Sequence, residues 1–401
     1  MSRPNGPELP EPWTSLTMQA LAIKAAMERP AGILIRDCPW REAWNGVEPR
    51  ALTCDEFLRR ARFLAAQFVT LGIRPGEAVL IILPNVVEVG LSILACQLAG
   101  AVPALAPADD TIDRLRNAAE RCGAVMVLSM ARVGEIALGE KARQVAAKVM
   151  SVRVAAGFGF DLPDGLVSLE GWAEDDVMPF TEAARRQADA GLITFTRAGG
   201  TLAAALRSEG QMIAEALAIS SVLRLDGRRG LVSLMHPGAA ASVAGALILP
   251  LFAGAEIRLA GPYDSALLAV ILDEAPTAHL YCPDHFAAWL RPEALGAQRL
   301  GNLAGIAALA RAEGREAAIL TPGPLDCALI VDFDERGLAP LRRWPVDGRL
   351  ALPAALPHPM ETILPEDQPF LTIPAAPGED FGGFAAARLL NRTENPAGKA
   401  A

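Results

Sequence analysis

GEAVLIILPNVVEVGLSILACQLAGAVPALAP, residues 76–107, carries the pattern that decides the fold. Ala78 to Ile82 is a short apolar run, and Leu83-Pro84-Asn85 breaks it. Val86 to Leu98 follows with Glu88 as its one charge, and Ala99-Gly100 closes it. A second apolar run, Ala101 to Ala106, ends at Pro107. Strand, turn, helix, glycine stop and strand make a βαβ unit, which implies a parallel sheet with a right-handed crossover. A helix with so little charge is expected to be buried together with its strands.

Outward from this unit the alternation continues. Upstream, Leu16 to Met27 reads as a helix and residues 32–36 as a short strand. Thr53-Cys54-Asp55-Glu56 is a capping box opening a helix that Gly72 stops, with Phe57, Ala61, Leu64 and Phe68 on one face. Downstream, residues 109–121 and 133–147 read as helices, and 124–129 and 149–155 as strands. Residues 190–196 read as a strand, followed by a glycine-containing turn and a helix over 208–223. Strands at 231–234, 256–260 and 279–282 alternate with helices at 239–252, 264–274 and 284–290. This is an α/β fold of doubly wound type, assigned here to residues 1–291. Beyond it, 303–312 reads as a helix and 325–332 as a strand. The proline-rich stretch from Gly337 suggests a small irregular β lobe over 292–387, with a tail at 388–401.

Composition excludes several classes. Of 401 residues 52% are apolar, enough for a large core. A net charge of −9 speaks against nucleic acid, whose phosphates call for clustered Lys and Arg. The six cysteines show no CxxC pair, and the four histidines, His236, His279, His285 and His358, have no ligand spacing, so no metal site is expected. Dispersed free thiols and the lack of a signal-like apolar N-terminus point to the cytoplasm. Leu234 to Ala255 carries no charge and is long enough to span a bilayer, but Pro237, Gly238, Pro250 and Gly254 interrupt it; a buried helix followed by a strand is expected, not a span.

The order of these pieces, from LTCDEFLRRARFLAAQFVTLGIRPGEAVLIILPN through QLAGAVPALAP, DRLRNAAERCGAVMVLS, LITFTRAGG and PLFAGAEIRLAGPYD to HLYCPDHFAAWL, resembles the N-terminal domain of the acyl-adenylate-forming superfamily, the acyl-CoA synthetases and AMP-dependent ligases. The resemblance implies layered, mostly parallel sheets and a reaction joining a carboxylate to ATP. It also implies a loop Thr-Ser-Gly-Thr-Thr-Gly-x-Pro-Lys-Gly holding the departing pyrophosphate through converging N–H groups, hydroxyls and a lysine. Here that loop falls on Thr196-Arg197-Ala198-Gly199-Gly200-Thr201-Leu202-Ala203-Ala204-Ala205, with alanine at the proline and lysine positions. Thr196, Arg197, Gly199, Gly200, Thr201 and the nearby Arg207 are the remnant phosphate-loop candidates; the alternative is a plain structural turn. His236 and Gly238, in His236-Pro237-Gly238, fall where the family has a turn beside its acyl pocket. They are remnant acyl-pocket candidates, against the alternative of an ordinary loop histidine.

Other family elements do not appear: the Glu that helps hold Mg²⁺, the Thr-Gly-Asp segment for the ribose, and the C-terminal catalytic domain. The expectation is therefore a degenerate, catalytically inactive relative that binds a small carboxylic or acyl ligand or another acyl-handling protein, with no catalytic residue and no cofactor assigned. One alternative is a divergent adenylating ligase, or its ATP-binding half completed by a partner, for which ATP and Mg²⁺ would be required. Another is a structural subunit of a biosynthetic complex. A homo-oligomer stays open.

Overall fold

The computed structural model describes residues 16–341, apart from 160, 187–188, 199–200, 224, 226–228, 262–264, 276, 284–295, 297, 300–302, 312–326 and 333–337. In chain order the elements are α1 (Met18–Glu28), β1 (Ile33–Arg36), α2 (Arg41–Asn45), β2 (Ala51–Thr53), α3 (Cys54–Thr70), β3 (Ala78–Ile81), α4 (Val87–Leu98), β4 (Val102–Leu105), α5 (Ile112–Cys122), β5 (Ala124–Met130), α6 (Leu138–Lys148), β6 (Val154–Phe158) and β7 (Val167–Ser168). The second half adds β8 (Ala190–Ala198), β9 (Thr201–Ser208), α7 (Glu209–Leu223), β10 (Leu231–Ser233), α8 (Ala240–Val243), a π turn (Ala244–Ile248), α9 (Leu249–Ala253), β11 (Ile257–Leu259), α10 (Ser265–Glu274), β12 (His279–Pro283), β13 (Gly305–Arg311), β14 (Cys327–Asp332) and β15 (Leu338–Leu341).

These strands form two sheets. One has seven strands in the order β7-β6-β5-β3-β4-β8-β9, the other eight in the order β15-β14-β13-β12-β10-β11-β1-β2. The deciding stretch folds as read: β3 and β4 pair in parallel, Ala78 opposite Val102 and Ile81 opposite Leu105, joined by α4. Both strands and almost every residue of α4, Glu88 included, are buried. The reason is the layer α4 occupies. It packs on α3, and α7 touches strands of both sheets, so α1, α3, α4, α7 and the 240–253 helix form a shared layer between the sheets. A helix covered on every side needs no polar face.

The capping box of α3 is present in full. Thr53 Oγ1 accepts from the Glu56 N–H at 3.2 Å, and Glu56 Oε2 accepts from the Thr53 N–H at 3.0 Å. The apolar segment 234–255 is a buried helix followed by a strand, ended by Gly254 in the left-handed region (φ +71°). No helix among the described residues is long and apolar enough to cross a membrane.

Several elements differ from the sequence reading. The helix expected over 303–312 is strand β13, held in parallel between β12 and β14. Ile306 to Leu309 are all buried, so both faces of the strand are covered and alternation is lost; a short unbroken apolar run does not tell strand from helix. With it, β13, β14 and β15 continue the eight-stranded sheet past the boundary drawn at residue 291. The helix expected from residue 133 begins at Leu138, because Val133 and Ile136 bridge in a small turn; the strand expected at 149–155 lies at 154–158. The helix expected over 284–290 and the tail at 388–401 lie outside the described residues.

Candidate functional site

In a doubly wound sheet the chain leaves its first strand to one side and later returns to the other. Two crossover loops then diverge at the carboxyl ends of neighbouring strands, opening a crevice. Each sheet here has one such point. In the seven-stranded sheet it lies between β3 and β5, in the eight-stranded sheet between β10 and β12.

The first crevice is filled by the chain itself. Arg41, on α2, is buried there and ion-paired to Asp37 and to Glu88, the latter at 2.7 Å; Arg50 reaches Glu88 at 3.0 Å and Glu170 at 3.2 Å. Asp37 Oδ1 accepts from the Val87 N–H at 2.9 Å, so the N-terminus of α4 is already capped by a carboxylate. Burial and the neighbouring Glu88 push the Asp37 carboxyl above its ordinary range, while Arg41 and the Val87 amide oppose the shift. A cavity of about 60 Å³ remains over the ends of β5 and β6. Ligand pockets for drug-sized molecules run to roughly 300 Å³ and more.

The second crevice carries the acyl-pocket candidates. Strand β10 ends at Ser233, level with Tyr281 of β12, and the chain turns through His236-Pro237-Gly238 directly above. The imidazole is oriented by its own turn. Its Nδ1 accepts from the Gly238 N–H at 3.0 Å, which leaves the proton on Nε2, and Nε2 lies 3.5 Å from Asp109 Oδ1. Asp109 belongs to the loop after β4, on the other sheet. Gly238 completes the approach: a Cβ there would stand 3.2 Å from the Pro107 nitrogen and 3.1 Å from His236 Nδ1. A third contact, Asn85 Nδ2 donating to the Ser233 carbonyl at 3.2 Å, joins the end of β3 to the end of β10. The carboxyl edges of the two sheets thus meet at 85/233, 107/238 and 109/236, and His236 is half-exposed at the rim of this junction.

The phosphate-loop candidates lie elsewhere in geometry. Strands β8 and β9 form an antiparallel hairpin in which Thr196 pairs with Ala203, Arg197 with Leu202 and Ala198 with Thr201. The second strand was not in the sequence reading, which passed from a turn straight to the helix. Eight of the ten residues from Thr196 to Ala205 are therefore extended, and Gly199 and Gly200 lie outside the described residues. Successive N–H groups of a strand point in opposite directions, whereas a phosphate cradle needs them to converge. Arg207 is at the far end of β9, buried, with Nε 3.3 Å from Glu215 Oε2 on α7. Its charge is spent on that partner.

The sequence reading missed Asp109, Asn85 and the Asp37–Arg41–Glu88 cluster, which no local motif marks; each acquires its role only when two segments far apart in the chain are brought together. No group of His, Cys, Asp and Glu suited to a metal occurs among the described residues.

The sequence matches the AMP-binding enzyme family over residues 34–328. No curated protein matches it. Among solved structures, the anthranilate CoA ligase AuaEII in complex with anthranoyl-AMP is similar with a TM-score of 0.69 at 15% identity, covering 82% of this chain; this chain spans 61% of the length of that ligase. A putative long-chain-fatty-acid CoA ligase from Rhodopseudomonas palustris CGA009 is similar with a TM-score of 0.66 at 18% identity, covering 81% of this chain and 79% of that one. At such identities these structures speak for the fold, and it is the family match, running from β1 into β14 across both sheets, that identifies the chain as a member of the AMP-binding enzyme family.

Proposed function

We propose that this chain is a family member that does not form acyl-adenylates and acts by binding a small acyl ligand at the crevice above β10 and β12. The observation that carries the reading is the β8–β9 hairpin. A stretch that would have to gather N–H donors around pyrophosphate is paired as extended strands, with alanine where the lysine would stand and Arg207 held by Glu215. Loss of such preorganised donors removes several kcal/mol of transition-state stabilisation each. What supports a retained binding role is the crevice of the eight-stranded sheet, whose rim presents an oriented imidazole.

Calorimetry with ATP and Mg²⁺, together with acyl-dependent pyrophosphate exchange, tests this. The expected result is no exchange with any acid of an aryl and fatty series, and no saturable ATP heat at millimolar concentration. ATP binding that disappears in Arg197→Ala would overturn it in favour of an adenylating ligase, or the ATP-binding half of one.

A further inference from the structure

A cavity of about 210 Å³ opens between α10 and the strands β1, β2 and β11; His236 and Gly238 take no part in its walls. We propose that it is a second binding site, which takes the phosphate group of a small organic phosphate between Arg36 and Arg258. This goes beyond the acyl-ligand reading and does not depend on it.

Strand register brings the two arginines together. Arg36 of β1 and Arg258 of β11 are directly paired in parallel, so their side chains leave the same face of the sheet. One carboxylate serves both: Arg36 Nε donates to Glu256 Oε1 at 3.0 Å, and Arg258 Nε lies 3.0 Å from the same oxygen. Arg258 Nη1 donates to Glu274 Oε2 at 3.2 Å. Arg36 Nη1 and Nη2 and Arg258 Nη2 have no partner among the described residues, and both side chains line the cavity. The carboxylate opposing an incoming anion is Glu274, whose side chain is 53% exposed. An exposed ion pair of that kind is worth little, so an arriving dianion displaces it. The other two charged residues of the lining are already engaged. Asp37 is fully buried, its Oδ1 accepting from the Val87 N–H and its Oδ2 from Arg41 and the Arg50 N–H. The Arg50 guanidinium is held by Glu88 and Glu170.

These donors suit a phosphate. A guanidinium presents paired N–H groups that match its oxygens, and a phosphate monoester brings nearly two negative charges and three acceptor oxygens at neutral pH. Pro39, Pro49, Ala51 and Ile271 complete the lining and give an organic group apolar contact. The volume limits that group to a small one; drug-sized ligands such as ATP call for roughly 300 Å³ and more.

The test is calorimetric titration of the full chain at neutral pH and low salt with three probes: phenyl phosphate, phenyl sulfate, which has the same shape and one charge fewer, and inorganic phosphate. The wild type is expected to bind phenyl phosphate at least about fivefold tighter than phenyl sulfate. Arg36→Gln and Arg258→Gln should each weaken phenyl phosphate about tenfold. Glu274→Gln, which removes the competing carboxylate, should tighten it about fivefold. No saturable heat with phenyl phosphate, affinities unchanged by both arginine variants, or weaker binding in Glu274→Gln overturns the proposal. Inorganic phosphate bound as tightly as phenyl phosphate overturns the assignment to an organic phosphate. Glu274→Gln alters an exposed side chain, so the sign of its effect decides the matter even if an arginine variant does not fold. Failure here leaves the acyl-ligand reading standing, because that reading rests on the β8–β9 hairpin and the crevice at His236.

Discussion

The Tyr281 hydroxyl donates to the Ala241 carbonyl at 2.7 Å, and the helix above it bulges. Tyr281 is fully buried on β12, beneath the segment where α8 gives way to the π turn. At the end of that turn the Leu249 N–H reaches the Ala244 carbonyl, an i to i+5 bond. A side-chain hydroxyl inserted into a helical ladder is a recognised cause of such a distortion. Gly245 makes room for the ring: a Cβ there would come within 2.3 Å of Tyr281 Cε1. The expected outcome is that Gly245→Ala costs about 2–3 kcal/mol by overpacking, while Tyr281→Phe, which keeps the ring, costs about 1 kcal/mol. Urea midpoints measure both. An unchanged midpoint for Gly245→Ala would show that the ring does not fill this space.

Arg207 is expected to behave as a structural residue. Arg207→Ala should cost about 3–5 kcal/mol, because it leaves Glu215 charged and buried, whereas the double change Arg207→Met/Glu215→Leu should recover most of that loss. Denaturant unfolding of Arg207→Met, Glu215→Leu and the double variant gives the coupling energy. A wild-type-like stability for Arg207→Ala would return this side chain to the list of ligand-binding candidates.

Glu209 predicts a pH dependence. Its carboxylate is buried at the first residue of α7, against the N-terminus of α1, accepting from the Met18 N–H at 3.3 Å and lying 3.4 Å from Arg185 Nε. Burial pushes its pKa above the ordinary 4.5, and Arg185 and the Met18 amide oppose this only in part. Between 4.5 and the raised folded value the native state holds a proton that the unfolded chain has released. Stability contributed through this group therefore rises as pH falls through that window, and is lowest above it. Stability curves of the wild type and Glu209→Gln should differ in slope there, with the variant flatter. Parallel curves would contradict the assignment.

The capping box offers a local test. Thr53→Ala removes the acceptor for the Glu56 N–H at the start of α3 and should cost about 1 kcal/mol. Thr53→Ser should restore it, since the hydroxyl is what matters; failure of serine to rescue would place the cost in lost packing of the threonine methyl.

How much of this was legible beforehand varies with the range of the interaction concerned. The βαβ unit at 76–107, the α3 capping box and the glycine stops at Gly72 and Gly254 are written within a few residues of one another, and they were read correctly. Strand β9 was not, because Thr201 to Ser208 has no alternation of its own: it draws its conformation from pairing with β8. The unbroken apolar run of β13 reads as a helix for the same reason. His236 and Gly238 were singled out only through family resemblance, and Asp109, which faces the imidazole, was not singled out at all.

By itself the sequence determined the class of fold, since apolar periodicity, caps and breakers act over one or two turns of chain and report directly on local backbone. Only the tertiary structure decided how the candidate residues are paired. Whether Arg207 is a free cation or half of a buried pair, whether Thr196 to Ala198 and Thr201 to Ala205 pair as strands, and which carboxylate stands beside His236 all depend on segments that come together only when the two sheets close over their shared helical layer. Burial and charge pairing are set by that closure, and no stretch of sequence carries them alone.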